Sequence, residues 1–108
     1  MVLGIEELQK LVKEKNLVTG LSPRELENPE GAGFDLRIGE LYEVLGQGFL
    51  GIEQRETPEM KLLAKHQNGK TVEFQIKPHT YYVMKTIEEV HMPENLLAIM
   101  APRSTLFR

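Results

Sequence analysis

A chain of 108 residues, 41% hydrophobic and 27% charged, has the size and composition of one globular domain with a modest core. Its net charge of -3 argues against a strongly basic nucleic-acid footprint, and the absence of cysteine excludes disulfides and cysteine-ligated zinc or iron–sulfur sites. No apolar run approaches the roughly 20 residues that span a bilayer, and the N-terminus has no basic region followed by an apolar one; a cytoplasmic protein without membrane contact or signal peptide is expected.

The first predicted element is an amphipathic helix. Ile5, Leu8, Leu11 and Val12 recur at helical spacing, and Glu6, Glu7, Lys10 and Lys13 take the opposite face. Acids at the start and Lys13 and Lys15 at the end complement the helix dipole, and Asn16 is the predicted stop. A short second helix begins at Ser22-Pro23-Arg24-Glu25, with Ser22 as N-cap, Pro23 as first helical residue and Glu25 as the reciprocal capping acid. Asn28-Pro29 ends it.

From Gly31 onward the pattern is that of strands. Phe34, Leu36 and Ile38 alternate with Asp35 and Arg37, which predicts a half-buried strand, and Glu40 to Leu45 predicts another. Asn68-Gly69 is the clearest hairpin signal, followed by alternation of Val72, Phe74 and Ile76 with polar residues. Pro78-His79 predicts a turn, Tyr81 to Thr86 a strand with one tyrosine inward and one outward, Glu88-Glu89 a solvated turn, and Met92-Pro93-Glu94-Asn95 a further turn. Leu96 to Met100 is apolar throughout, so a strand covered on both faces is expected. The whole predicts a mainly β domain, a sandwich or barrel with an N-terminal helix, or alternatively an α+β domain with one open sheet.

Two segments carry candidate chemistry. Gly31-Ala32-Gly33-Phe34-Asp35-Leu36-Arg37-Ile38-Gly39 sets an aspartate between glycines that allow close backbone approach. Taken alone, Asp35 reads as a surface carboxylate paired with Arg37 or Arg24. The closing segment, Ala101 to Arg108, offers the forked donors of Arg103 and Arg108 and the hydroxyls of Ser104 and Thr105, a group suited to phosphate oxygens. No Gly-x-Ser-x-Gly elbow surrounds Ser104, which argues against a serine hydrolase. His66, His79 and His91 lack ligand spacing.

Ala32-Gly33-Phe34-Asp35-Leu36 and Ala101-Pro102-Arg103-Ser104, in this order, resemble the first two motifs of the trimeric dUTPase and dCTP deaminase superfamily. Ile76-Lys77-Pro78 and the run from Tyr82 to Pro93, containing Thr86-Ile87-Glu88-Glu89-Val90, are similar to that superfamily's approach to its second motif. The N-terminal helix, Leu36-Arg37-Ile38-Gly39 and Arg108 look like the deaminase branch; the Ala-Gly-x-Asp-Leu form and Pro102 look like dUTPases.

The resemblance implies a distorted jelly-roll β-barrel, incomplete here, in one domain over residues 1–108 truncated at its C-terminus. It implies a homotrimer with active sites between subunits, in which Arg103, Ser104, Thr105 and Arg108 bind the triphosphate of dUTP or dCTP. Asp35 would hold magnesium through water. The catalytic acid is expected beyond Arg108, on a third motif that these residues do not include. The implied activity is hydrolysis of dUTP to dUMP and pyrophosphate. The alternatives are dCTP deamination without zinc, alone or combined with dUTP hydrolysis, and, from a different class, a non-catalytic nucleotide-binding or assembly module.

Overall fold

The computed structural model describes residues 1–103. Helix α1 (Ile5–Lys15) forms where the periodicity placed it, with Glu6 and Glu7 in its first turn and Lys13 and Lys15 in its last. Asn16 closes it in the left-handed conformation, φ 53°, and the Leu11 carbonyl accepts from the N–H groups of Asn16 and Leu17. The next residues, Leu17, Val18 and Leu21, are buried. They receive Leu8, Leu11 and Val12 of the helix together with Phe34, Leu36 and Leu96. This is the principal core, and it sits at the helix rather than inside a barrel.

Strand β1 (Val18–Thr19) leaves that core to pair antiparallel with β7 (Glu89–Val90), Val18 opposite Val90. The His91 N–H donates to the Leu17 carbonyl at 2.8 Å and extends the join. Helix α2 (Pro23–Glu27) starts as predicted, with the Ser22 hydroxyl accepting from the Glu25 N–H at 3.4 Å. The capping box is only half formed, because the Glu25 carboxylate accepts the Asp35 N–H instead of returning to Ser22.

The larger sheet has β2 (Ile38–Leu45) at its centre, β5 (Glu59–Lys65) on one side and β6 (Tyr82–Thr86) on the other, all antiparallel. Register shifts lie between Leu41 and Tyr42 against β5 and between Ile38 and Glu40 against β6. A small hairpin, β3 (Phe49–Leu50) with β4 (Arg55–Glu56), stands apart as a third sheet. Asn68-Gly69 makes the predicted tight turn, Gly69 at φ 75° and Gln67 bridged to Lys70.

The mainly β class holds, with antiparallel sheets and few helices, but among the described residues the sheets do not close into a barrel. The accessible surface is 9532 Å², against roughly 6,100 Å² for a folded chain of this mass by the size scaling. Apolar side chains contribute to the surplus: Leu62, Val83, Met84 and Ile38 of the central sheet are 40% to 52% exposed.

Three expectations are corrected, and one strand was missed. Residues 34–37 are extended but belong to no ladder, and β2 begins at Ile38. Residues 72–76 follow the turn without pairing; Val72, Phe74 and Ile76 instead lie over Leu41 and Met84 across a cleft of about 340 Å³. Residues 96–100 are not a buried strand: Leu97 and Ile99 are 93% and 92% exposed, because no strand of this chain lies beside them among the described residues. Strand β5, which carries no clean alternation in Glu59-Met60-Lys61-Leu62-Leu63-Ala64-Lys65, was not predicted.

Candidate functional site: an aspartate and an arginine from two distant motifs

Residues 34–37 are held by side chains where a strand would be held by a neighbouring backbone. Alternate amides of an extended segment point the same way, and here two carboxylates accept them. Glu25, 4% exposed, takes the Asp35 N–H. Glu88, also 4% exposed, takes the Arg37 N–H at 2.8 Å. The amides of Asp35 and Arg37 are thereby satisfied without a neighbouring strand, and the Arg37 carbonyl accepts the Ile87 N–H at 2.9 Å.

Glu88 does more than accept an amide. Its second oxygen meets the Arg37 Nε at 2.7 Å, and the Arg37 guanidinium also donates to the Gly20 carbonyl at 2.6 Å. The Thr86 hydroxyl donates to the Glu88 carbonyl at 2.7 Å and shapes the corner between β6 and β7. Burial pushes the Glu88 carboxyl up, but the Arg37 amide and guanidinium outweigh it and hold the group below the usual carboxylate range. The predicted solvated turn at Glu88-Glu89 is therefore corrected in part: Glu88 lies in the bend but is a buried anchor, and Glu89 is exposed but belongs to β7.

Asp35 itself faces Arg103. Its Oδ2 lies 3.2 Å from a terminal guanidinium nitrogen, with the two side chains 43% and 58% exposed. The simpler pairing of Asp35 with Arg24 or Arg37 does not occur, since Arg24 pairs with Glu30 at 2.6 Å and Arg37 with Glu88. Two segments singled out separately in the sequence thus meet at one point. Ser104, Thr105 and Arg108, the other candidate phosphate ligands, lie outside the described residues.

The donor set does not make a resident magnesium site. Among the described residues no group of three or more His, Cys, Asp or Glu side chains converges, and Asp35 is a lone carboxylate engaged with a cation.

A second polar cluster, missed in the sequence, lies on the central sheet. The Tyr42 hydroxyl donates to Glu40, and Lys65 and Lys85 approach the same carboxylate at 3.8 and 3.9 Å from β5 and β6. The Tyr42 hydrogen bond, with help from the two lysines, holds the Glu40 carboxyl low and in turn raises the Tyr42 phenol. Spacing i, i+2 on a strand was the available signal. The tyrosine pair divides as expected, one outward and one inward: Tyr81 is exposed, while Tyr82 packs edge-on against Phe74 and its hydroxyl accepts the Lys77 N–H at 3.0 Å.

The family model described as dCTP deaminase-like matches residues 2–108. The chain belongs to the dUTPase/dCTP deaminase superfamily. It is 27% identical over its whole length to a probable deoxyuridine 5'-triphosphate nucleotidohydrolase of Methanothermobacter thermautotrophicus, covering 61% of that protein. It is 30% identical over 99% of its length to a protein of the same description from Archaeoglobus fulgidus, again covering 61%. It is 28% identical over its whole length to a dCTP deaminase of Caldivirga maquilingensis, covering 59%. The chain thus spans about three fifths of the length of these superfamily relatives. No solved structure matches. Within the superfamily, the Asp35–Arg103 contact joins the two motifs that the sequence resemblance rests on.

Proposed function

We propose that these residues form the phosphate-gripping part of an enzyme of deoxypyrimidine nucleotide metabolism, one that hydrolyses dUTP to dUMP and pyrophosphate. The observation that carries this reading is the meeting of Asp35 and Arg103, which sets a forked cation beside the first motif. In the proposed reaction water attacks the α-phosphate and pyrophosphate leaves. Arg103 neutralises charge that builds on the phosphate oxygens in the transition state. Ser104, Thr105 and Arg108 would complete the grip. Magnesium would arrive with the nucleotide's own phosphates, the usual manner for this ion. A homotrimer and a cytoplasmic location belong to the same proposal.

Deamination of dCTP is the second reading, favoured by the description of the matching family. Separate turnover assays with dUTP and dCTP, following pyrophosphate and ammonia, distinguish the two. Pyrophosphate from dUTP without ammonia from dCTP supports the first reading. Ammonia from dCTP supports deamination, with pyrophosphate as well if the enzyme is bifunctional. Neither product, with nucleotide still bound, leaves a binding module.

A further inference from the structure

Asp35 and Arg103 are held very differently. The Asp35 backbone is fixed at its own amide by buried Glu25, and two residues on by the double grip of buried Glu88 on Arg37. Arg103 follows Pro102 at the end of residues 96–103, which among the described residues belong to no ladder. Its guanidinium has several donors, and the one nearest Asp35 engages a carboxylate oxygen at 3.2 Å. A phosphate oxygen would seek that same donor, and it would be repelled by the carboxylate that already holds it.

We propose that Asp35 is the resident counter-ion of Arg103, a positioning residue that holds the guanidinium ready and yields it to an incoming polyphosphate. The inference rests on the reading of Arg103 as a phosphate ligand and gives Asp35 a role other than holding a metal. Because Glu25 and Glu88 fix the aspartate, the arginine is the partner that moves. Asp35 lowers the intrinsic affinity for polyanions and keeps Arg103 from straying when the site is empty. Both groups are substantially exposed, so the effect is modest and weakens as salt screens it.

The test is calorimetric titration of the 108-residue chain with inorganic tripolyphosphate, in chelator and at low salt, with thermal melting of each variant as a folding control. Arg103→Ala is expected to weaken binding on the order of tenfold. Asp35→Asn, which keeps the shape and removes the charge, is expected to tighten it on the order of threefold, and less at high salt. In the Arg103→Ala background the same change is expected to have little effect, because there is no guanidinium to release. Tripolyphosphate affinity unchanged by Arg103→Ala would overturn the phosphate-ligand reading itself. Weaker binding in Arg103→Ala with no gain in Asp35→Asn would overturn the counter-ion role and leave that reading standing. An equal gain in both backgrounds would also overturn it, by showing general repulsion in place of a hand-off. Asp35→Ala repeats the comparison with a second side chain.

Discussion

The Glu88 carboxylate grips Arg37 at both its backbone amide and its Nε, across fifty-one positions of sequence. One oxygen serves each contact, the glutamate side chain is fully buried, and the arginine side chain is 45% exposed. The contact joins the corner after β6 to the segment that presents Asp35.

Removing that grip is expected to destabilise the chain. Glu88→Ala leaves the Arg37 amide without its acceptor, while the half-exposed guanidinium can recover water. A loss of about 2 to 3 kcal/mol is expected from two charge-assisted hydrogen bonds, read from urea denaturation at neutral pH. A loss below about 0.5 kcal/mol would show that the contact is incidental.

Acid should act at the same place. The Glu88 carboxyl lies below its ordinary value in the folded chain. Its contribution is therefore complete above the unfolded value of about 4.3 and disappears as pH falls through the lower folded value. Denaturation midpoints measured from neutral pH downward should fall more steeply for the native chain than for Glu88→Gln. Parallel curves for the two would refute the assignment.

Tyr42→Phe removes the hydroxyl that does most to keep Glu40 ionised. The Glu40 carboxyl should then titrate at higher pH, observable by carbon NMR of its side chain. Replacing Lys65 or Lys85 by methionine should move it in the same direction and by less, since those charges are farther away and act through solvent. A larger shift from either lysine than from the tyrosine would reverse the order of causes.

Gly39 faces a different constraint. A Cβ there would stand 3.1 Å from both the backbone nitrogen and the Cγ1 of Ile87, at the point where the Ile87 N–H donates to the Arg37 carbonyl. Backbone cannot give way as a flexible side-chain end can. Gly39→Ala is expected to cost about 1 to 3 kcal/mol as overpacking, with a lowered Tm. An unchanged Tm would mean that the β2–β6 corner relaxes freely.

Sequence pattern captured the elements whose stabilising contacts are local. Helix α1 follows from apolar spacing and terminal charges, α2 from Ser22 and Pro23, and the turn at Asn68-Gly69 from residues that accept positive φ. It failed where a distant side chain decided the outcome. The alternation at 34–37 is genuine, yet Glu25 and Glu88 take the amides of Asp35 and Arg37 where a ladder would have taken them. An acidic pair looks like solvent-facing surface until one member is buried against a distant arginine, as Glu88 is against half-exposed Arg37. The run 96–100 has the composition of a covered strand, but composition cannot supply the cover. For the candidate site, both motifs were legible singly and their contact was not, since no spacing rule connects residue 35 to residue 103.

The pairing of Val18 with Val90 has a consequence for synthesis. The helix and its apolar collar are translated before β7, the strand that pairs with β1, which leaves the ribosome some seventy residues later. At roughly 5 to 20 residues per second, β1 waits for several seconds before its partner strand emerges. Contacts this far apart also slow spontaneous folding, because a long loop must close before it is rewarded. Helix α1 and β1 are thus made well before the partner strand that secures β1, a natural stretch for a chaperone to shield.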